Sequence, residues 1–199
     1  MPSKILQRIF QRQASLLERL RQDAALAASF ESAATMCAGA LQRGRKILLA
    51  GNGGSAADAQ HWAAELVVRF QETRAALPAL ALSTDSSVLT AIGNDLGFEH
   101  LFSRQVEALG QEGDVLIVLT TSGRSPNISR ACQCARTGRM SVVSFTSTKA
   151  PQEFLALCDV CLQVPSEETA RIQEVHALLG HALCEFLESS VSNKGKTLC

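Results

Sequence analysis

Five short apolar runs, alternating with stretches of helical character, constrain this chain more than any other feature. They are Lys46–Ala50 (KILLA), Ala79–Ser83 (ALALS), Val115–Thr120 (VLIVLT), Ser141–Thr146 (SVVSFT) and Val160–Val164 (VCLQV). Their unbroken apolar character is that of strands buried on both faces of a parallel sheet. Between them the pattern predicts helices at about 56–70, near 86–92, from after Gly97 to near Gly110, after Pro126, and from Thr169 to about Ser192. Strands alternating with helices imply a three-layer α/β architecture of Rossmann type, with one parallel sheet of five strands covered on both faces. Ahead of this, residues 3 to about 43 read as two helices. Ile5, Ile9, Leu16 and Leu20 mark one stripe, and Leu6, Phe10 and Leu17 widen it. A stripe this broad needs partners on more than one side, which suggests a helical bundle shared between subunits. Gly44 is a fitting stop for the second helix.

The chain has 199 residues, 46% of them hydrophobic, enough for one domain: N-terminal helices over 1–44 and an α/β core over 45–199. Lys+Arg and Asp+Glu balance at 19 each. That balance leaves no electrostatic footprint for nucleic acid or an anionic membrane, so any anion site must be local. No run of about 18 apolar residues predicts a membrane span. The basic start MPSKILQRIFQRQ lacks the apolar core and cleavage site of a signal peptide, so a cytoplasmic protein is expected. The cysteines are Cys37, Cys132, Cys134, Cys158, Cys161, Cys184 and Cys199. Their odd number and apolar surroundings predict free, buried thiols. Cys158-Asp-Val-Cys161 has the spacing of half a zinc site, but Cys132-Gln-Cys134 does not supply the other half.

Two loops point to an anion. Gly51-Asn52-Gly53-Gly54-Ser55 joins the first strand to its helix. Glycine there permits close backbone approach, and a helix N-terminus offers free N–H groups. The spacing Gly51-x-Gly53-x-x-Ala56 also fits a loose dinucleotide fingerprint. The acidic partner expected about 20 residues on is missing, since Asp85 lies considerably farther along. Thr120-Thr121-Ser122-Gly123-Arg124-Ser125 follows the third strand, and Ser125-Pro126 reads as N-cap and first helical residue. An ordinary capped turn needs one hydroxyl, and this loop has three more. Hydroxyls and backbone amides together can wrap a phosphate without large net charge. Both loops follow strand carboxyl ends, where open α/β sheets bind ligands.

Three of the four histidines lie in two predicted helices. His61 and Glu65 are four apart, about 40° around one helical face. Gln173 and His181 are eight apart on the final helix, about 80° around, and can share a face. A carboxylate with an imidazole supplies a general base and acid. Two imidazoles, a carboxylate and an amide oxygen can equally hold a divalent metal. The same residues could be polar groups of core and surface. His100 is assigned to surface or structure.

The segments GNGGSAADAQHWAAEL, LSTDSSVLTAIGNDLGFEHLFSRQVEALG, GDVLIVLTTSGRSPNI and RIQEVHALLGH, in this order, resemble the sugar isomerase (SIS) domain family, and within it the phosphoheptose isomerases. The resemblance covers nearly the whole chain. It implies a flavodoxin-like parallel sheet of five strands, a homotetramer and active sites between subunits. It implies aldose–ketose isomerisation of sedoheptulose 7-phosphate to D-glycero-D-manno-heptose 7-phosphate through an enediol, serving lipopolysaccharide or related glycans. Carried over by motif, Glu65 and His181 are catalytic. His61, Glu65, Gln173 and His181 match zinc ligands of some members. Asn52, Gly53, Ser55, Arg69, Asn94, Asp95, Thr120, Ser122, Ser125 and Gln173 match substrate contacts. His176 matches no catalytic role.

The chain departs from the family pattern at Thr120 and Arg124, in SEETA before the final helix, which lacks an aspartate, and in TSTKAPQEF, which lacks the usual glycines. Two other functions occur among similar chains: a non-catalytic tetramer that binds the replication initiator, and a sugar-phosphate-sensing regulator. The first lacks the glutamate and second histidine that Glu65 and His181 retain. The second carries a DNA-binding domain that is not visible here.

Overall fold

The computed structural model describes residues 2–192. Two helices open the chain, α1 (Pro2–Arg21) and α2 (Ala24–Gln42). Asp23 starts α2 by accepting the Leu26 N–H at 2.9 Å. Gly44, at φ +73°, ends it in the left-handed conformation that glycine adopts without strain. The α/β succession follows: β1 (Ile47–Gly51), α3 (Gly54–Val67), β2 (Ala79–Ala81), α4 (Ser86–Asp95), a short 3-10 turn at Phe98–His100, α5 (Ser103–Leu109), β3 (Val115–Leu119), α6 (Pro126–Thr137), β4 (Ser141–Ser147), α7 (Gln152–Leu155), β5 (Val160–Val164) and α8 (Thr169–Ser192).

The five strands form one all-parallel sheet in the order β2-β1-β3-β4-β5, as expected. Strand pleating sends alternate residues to opposite faces. Val115, Ile117 and Leu119 of β3 enter a core with Trp62 and Leu66 of α3, Cys37 of α2 and Val175 and Leu183 of α8. Leu116 and Val118 enter the opposite core, with Ile92, Phe102, Val106, Ile128 and Phe154. Chain order reverses between β1 and β3, so their carboxyl ends flank the crevice of a doubly wound sheet.

The differences from expectation have local causes. β1 begins one residue late because Lys46 is held by Asp114, which accepts its N–H at 3.0 Å and its Nζ at 2.6 Å. Full burial along the strand holds for β1 and β3 but not for the edges: β2 has three residues with Leu80 41% exposed, and β5 alternates. α7 has four residues, too few for a helical period to register. The N-terminal half of α1 turns Ile5, Leu6 and Phe10 outward, with Phe10 63% exposed, while Leu16 is buried. α2 has the length and mean hydropathy (1.3) of a membrane span. It lies against α8 and β5 with Ala33, Ala34, Cys37, Ala38 and Ala40 in the core. Of the six described cysteines, all free, Cys37, Cys132 and Cys184 are buried and Cys134, Cys158 and Cys161 partly so. Cys199 lies outside the described residues.

Candidate active site

The β1–α3 and β3–α6 loops lie side by side at the crevice, joined by a reciprocal amide pair. Asn52 donates to Asn127 Oδ1 at 3.0 Å, and Asn127 donates to Asn52 Oδ1 at 2.9 Å. Asn127 is buried and was not among the predicted site residues. Its only sequence signal is a place beside Pro126 on the first turn of α6. The turn at Gly53 has φ +56°, and a Cβ at Gly51 would stand 2.5 Å from the Ser55 carbonyl oxygen, so these glycines are sterically required. Ser55 is buried at the first turn of α3.

In the second loop, Thr120 Oγ1 accepts the Gly123 N–H at 3.1 Å and Ser122 Oγ accepts the Arg124 N–H at 3.3 Å. Gly123 turns the chain with φ +63°. Ser125 occupies the N-cap position, as expected, but its hydroxyl makes no capping bond. A cavity of about 300 Å³ opens beside this loop, lined by Thr121, Ser122, Arg124, Ser147, Lys149 and Thr169 among others. Lys149 and Glu167 pair there at 2.7 Å.

The residues expected to do acid–base work lie where α3 and α8 run side by side in the same direction. His61 and His181 meet Nε2 to Nε2 at 2.8 Å, with rings edge to face. Glu65 Oε1 is 3.7 Å from His61 Nε2. Two turns earlier the Gln173 amide lies against Gly54, where a Cβ would stand 2.6 Å from its Nε2. Gln173 and His181 thus share the face of α8 turned to α3, as their spacing predicts. No hydrogen bond joins the Gln173 amide to the other three residues. Asp58, one turn before His61, is partly buried. Burial pushes its carboxyl above the ordinary value, against the pull of the His61 and His181 imidazoles.

Further supports escaped the sequence. The Phe70 ring stacks on His181 at 5.6 Å between centroids. Glu188 holds the segment after α3: it accepts the N–H groups of Phe70, Gln71 and Glu72 at 3.0, 2.8 and 2.9 Å and the Arg74 Nε–H at 3.1 Å. Burial would raise this carboxyl, but those donors outweigh it and hold it below the usual range. Arg74 in turn donates to the Glu65 carbonyl at 2.9 Å. His176, by contrast, is a core residue. It is fully buried, its Nε2 lies 3.2 Å from the Thr146 carbonyl oxygen, and burial lowers its pKa to about 4.

Three predicted residues make no hydrogen bond or ion pair with this cluster. Arg69 is exposed on the segment after α3. Asn94 and Asp95 are exposed at the end of α4, where Asn94 donates to Asp95 at 2.6 Å.

The SIS domain family model matches residues 10–147. The phosphoheptose isomerase of Burkholderia pseudomallei strain K96243 is 54% identical over 86% of this chain and 87% of its own length. That of Bradyrhizobium sp. strain ORS 278 is 49% identical over 90% of both chains. Among solved structures, the phosphoheptose isomerase of Neisseria gonorrhoeae superposes with a TM-score of 0.88 at 41% identity, covering 95% of this chain and 100% of the other. That of Francisella tularensis gives 0.89 at 35% identity, covering 95% and 99%. Sheet order, crevice loops and near-complete coverage by these relatives agree: the chain belongs to the phosphoheptose isomerase family of SIS-domain proteins.

Proposed function

We propose that this enzyme interconverts sedoheptulose 7-phosphate and D-glycero-D-manno-heptose 7-phosphate by proton transfer between C1 and C2 through an enediol. The observation that carries the mechanism is the meeting of Glu65 and His61, on the helix that the Gly51–Ser55 loop begins, with His181 of α8. The phosphate sits in the crevice against the hydroxyls of Ser55, Thr120, Ser122 and Ser125 and the backbone of Asn52 and Gly53. Its binding energy positions the distant carbonyl end. Glu65 takes the proton from carbon, and His181 acts as acid–base partner on the other side. Arg74 and Glu188 support both, through the Glu65 carbonyl and through Phe70 stacked on His181.

Two imidazole nitrogens and a carboxylate suit zinc, so His61, Glu65 and His181 are the residues that would hold it. Gln173 is the fourth expected ligand, and its amide lies against Gly54 at the start of α3. Among the described residues no three His, Cys, Asp or Glu side chains are gathered at metal-binding distance. Bound zinc would supply Lewis-acid polarisation of the carbonyl.

The protein is further read as a cytoplasmic homotetramer of one SIS domain per chain. The outward Ile5, Leu6 and Phe10 of α1 and Leu178 and Phe186 of α8 support contacts between copies. Arg69, Asn94 and Asp95 complete the site across such contacts. Replication-initiator binding and sugar-phosphate sensing are not favoured, because the relatives at about half identity are phosphoheptose isomerases.

Proton NMR of sedoheptulose 7-phosphate with the purified protein tests the reading, with chelator and with added zinc as separate arms. A growing anomeric aldose signal is expected, and loss of it with chelator assigns the metal. No aldose in any arm overturns the activity.

A further inference from the structure

Gly180 is the residue on α8 immediately before His181, and Trp62 is the residue on α3 immediately after His61. A Cβ at position 180 would stand 1.9 Å from Trp62 Cε2, 2.1 Å from Cζ2 and 2.3 Å from Nε1. Carbon atoms in contact sit about 3.5 Å apart or more, so any side chain at 180 must drive the indole and α8 apart by roughly 1.5 Å. The indole has nowhere to go. Trp62 is fully buried, and on the sheet side its ring packs edge to face on Phe145 of β4 at 4.8 Å between centroids. Its Nε1–H is buried without a hydrogen-bond partner, so packing, not hydrogen bonding, sets its place. Glycine is the poorest helix former after proline, yet Gly180 stands in the middle of the 24-residue α8. Local propensity does not explain it; the close approach does.

We infer that Gly180 and Trp62 are positioning residues that set the distance between α3 and α8, and through it the 2.8 Å meeting of His61 and His181. The inference rests on the acid–base role proposed above for His181 and Glu65. Neither residue belongs to a phosphate loop and each adjoins a histidine of the meeting pair, so the larger effect falls on the chemical step. A misplacement of about 1 Å in a reacting group can cost on the order of 10²-fold in rate.

The test is a pair of variants, Gly180→Ala and Gly180→Ala/Trp62→Leu, each read by steady-state kinetics and by proton–nitrogen correlation spectra of the imidazoles. Gly180→Ala is expected to lower kcat by on the order of 10²-fold with KM changed by less than about threefold. Its His61 and His181 signals should move while His100, remote from the crossing, stays. A leucine side chain ends short of the positions of Cε2, Cζ2 and Nε1, so the double variant should return those two signals and most of kcat towards wild type. An effect of the alanine confined to α8 would not be reversed by a substitution on α3. A folded Gly180→Ala protein with wild-type kcat and unmoved His61 and His181 signals overturns the inference, as does a double variant whose signals stay displaced. Should Gly180→Ala not fold, the double variant is compared with wild type: coincident His61 and His181 signals support the inference and displaced signals overturn it. If wild type itself turns over no heptose phosphate, the proposed activity fails, and the spectra still decide the spacing role.

Discussion

Glu188 and Arg74, both buried, are bonded at 3.1 Å, and between them they tie the end of α8 to the segment that follows α3. Glu188→Gln leaves the Arg74 charge buried without its counter-ion. A loss of about 3 kcal/mol in unfolding free energy is expected in urea titrations. Because Arg74 bonds the Glu65 carbonyl, kcat should fall as well. Unchanged stability would show that the guanidinium finds compensation elsewhere. The acidic side follows from the same carboxyl. Its folded value lies below the ordinary 4.5, so its contribution is present above that value and is lost as pH falls below it.

Glu65→Gln keeps the shape of the side chain and removes the proposed base. Isomerisation should drop by at least about 10³-fold, with the thermal midpoint and phosphate affinity near wild type. Wild-type turnover in this variant would remove Glu65 from the mechanism.

Ser122→Ala takes one hydroxyl from the loop after β3. Loss of one charge-assisted hydrogen bond of about 1.5 kcal/mol raises KM by on the order of tenfold, with kcat little changed. An unaltered KM in steady-state assays places the phosphate elsewhere in the crevice.

His176 makes stability depend on pH through the core. Its value falls from the ordinary 6.5 to about 4 on folding. The unfolded chain therefore binds the proton first, and stability is full above 6.5 and declines as pH drops towards 4. At pH 5 the decline from this group is about 2 kcal/mol. Urea midpoints at pH 7 and pH 5 should separate in wild type and separate less in His176→Phe, whatever that variant costs at neutral pH. Equal separations would rule out His176 as the source.

The apolar runs and the helical stretches between them were enough to read a five-stranded parallel sheet, because the inner strands, buried on both faces, have to be continuously apolar wherever they lie. The glycine and hydroxyl loops were legible for a similar reason: tight turns and helix starts impose residue types locally. His61 with Glu65, and Gln173 with His181, were legible as shared helical faces, since the period of a helix is a local property. The meeting of those two faces was not. It depends on a glycine on α8 lying against an indole more than a hundred residues earlier. Asn52 with Asn127, Phe70 on His181, and Arg74 with Glu188 are likewise pairs whose members lie far apart in the chain. Nothing in a local window marks one residue of such a pair for the other. Their contact is created when two helices pack on one sheet, and steric fit and the desolvation of buried charge then decide which side chains can meet.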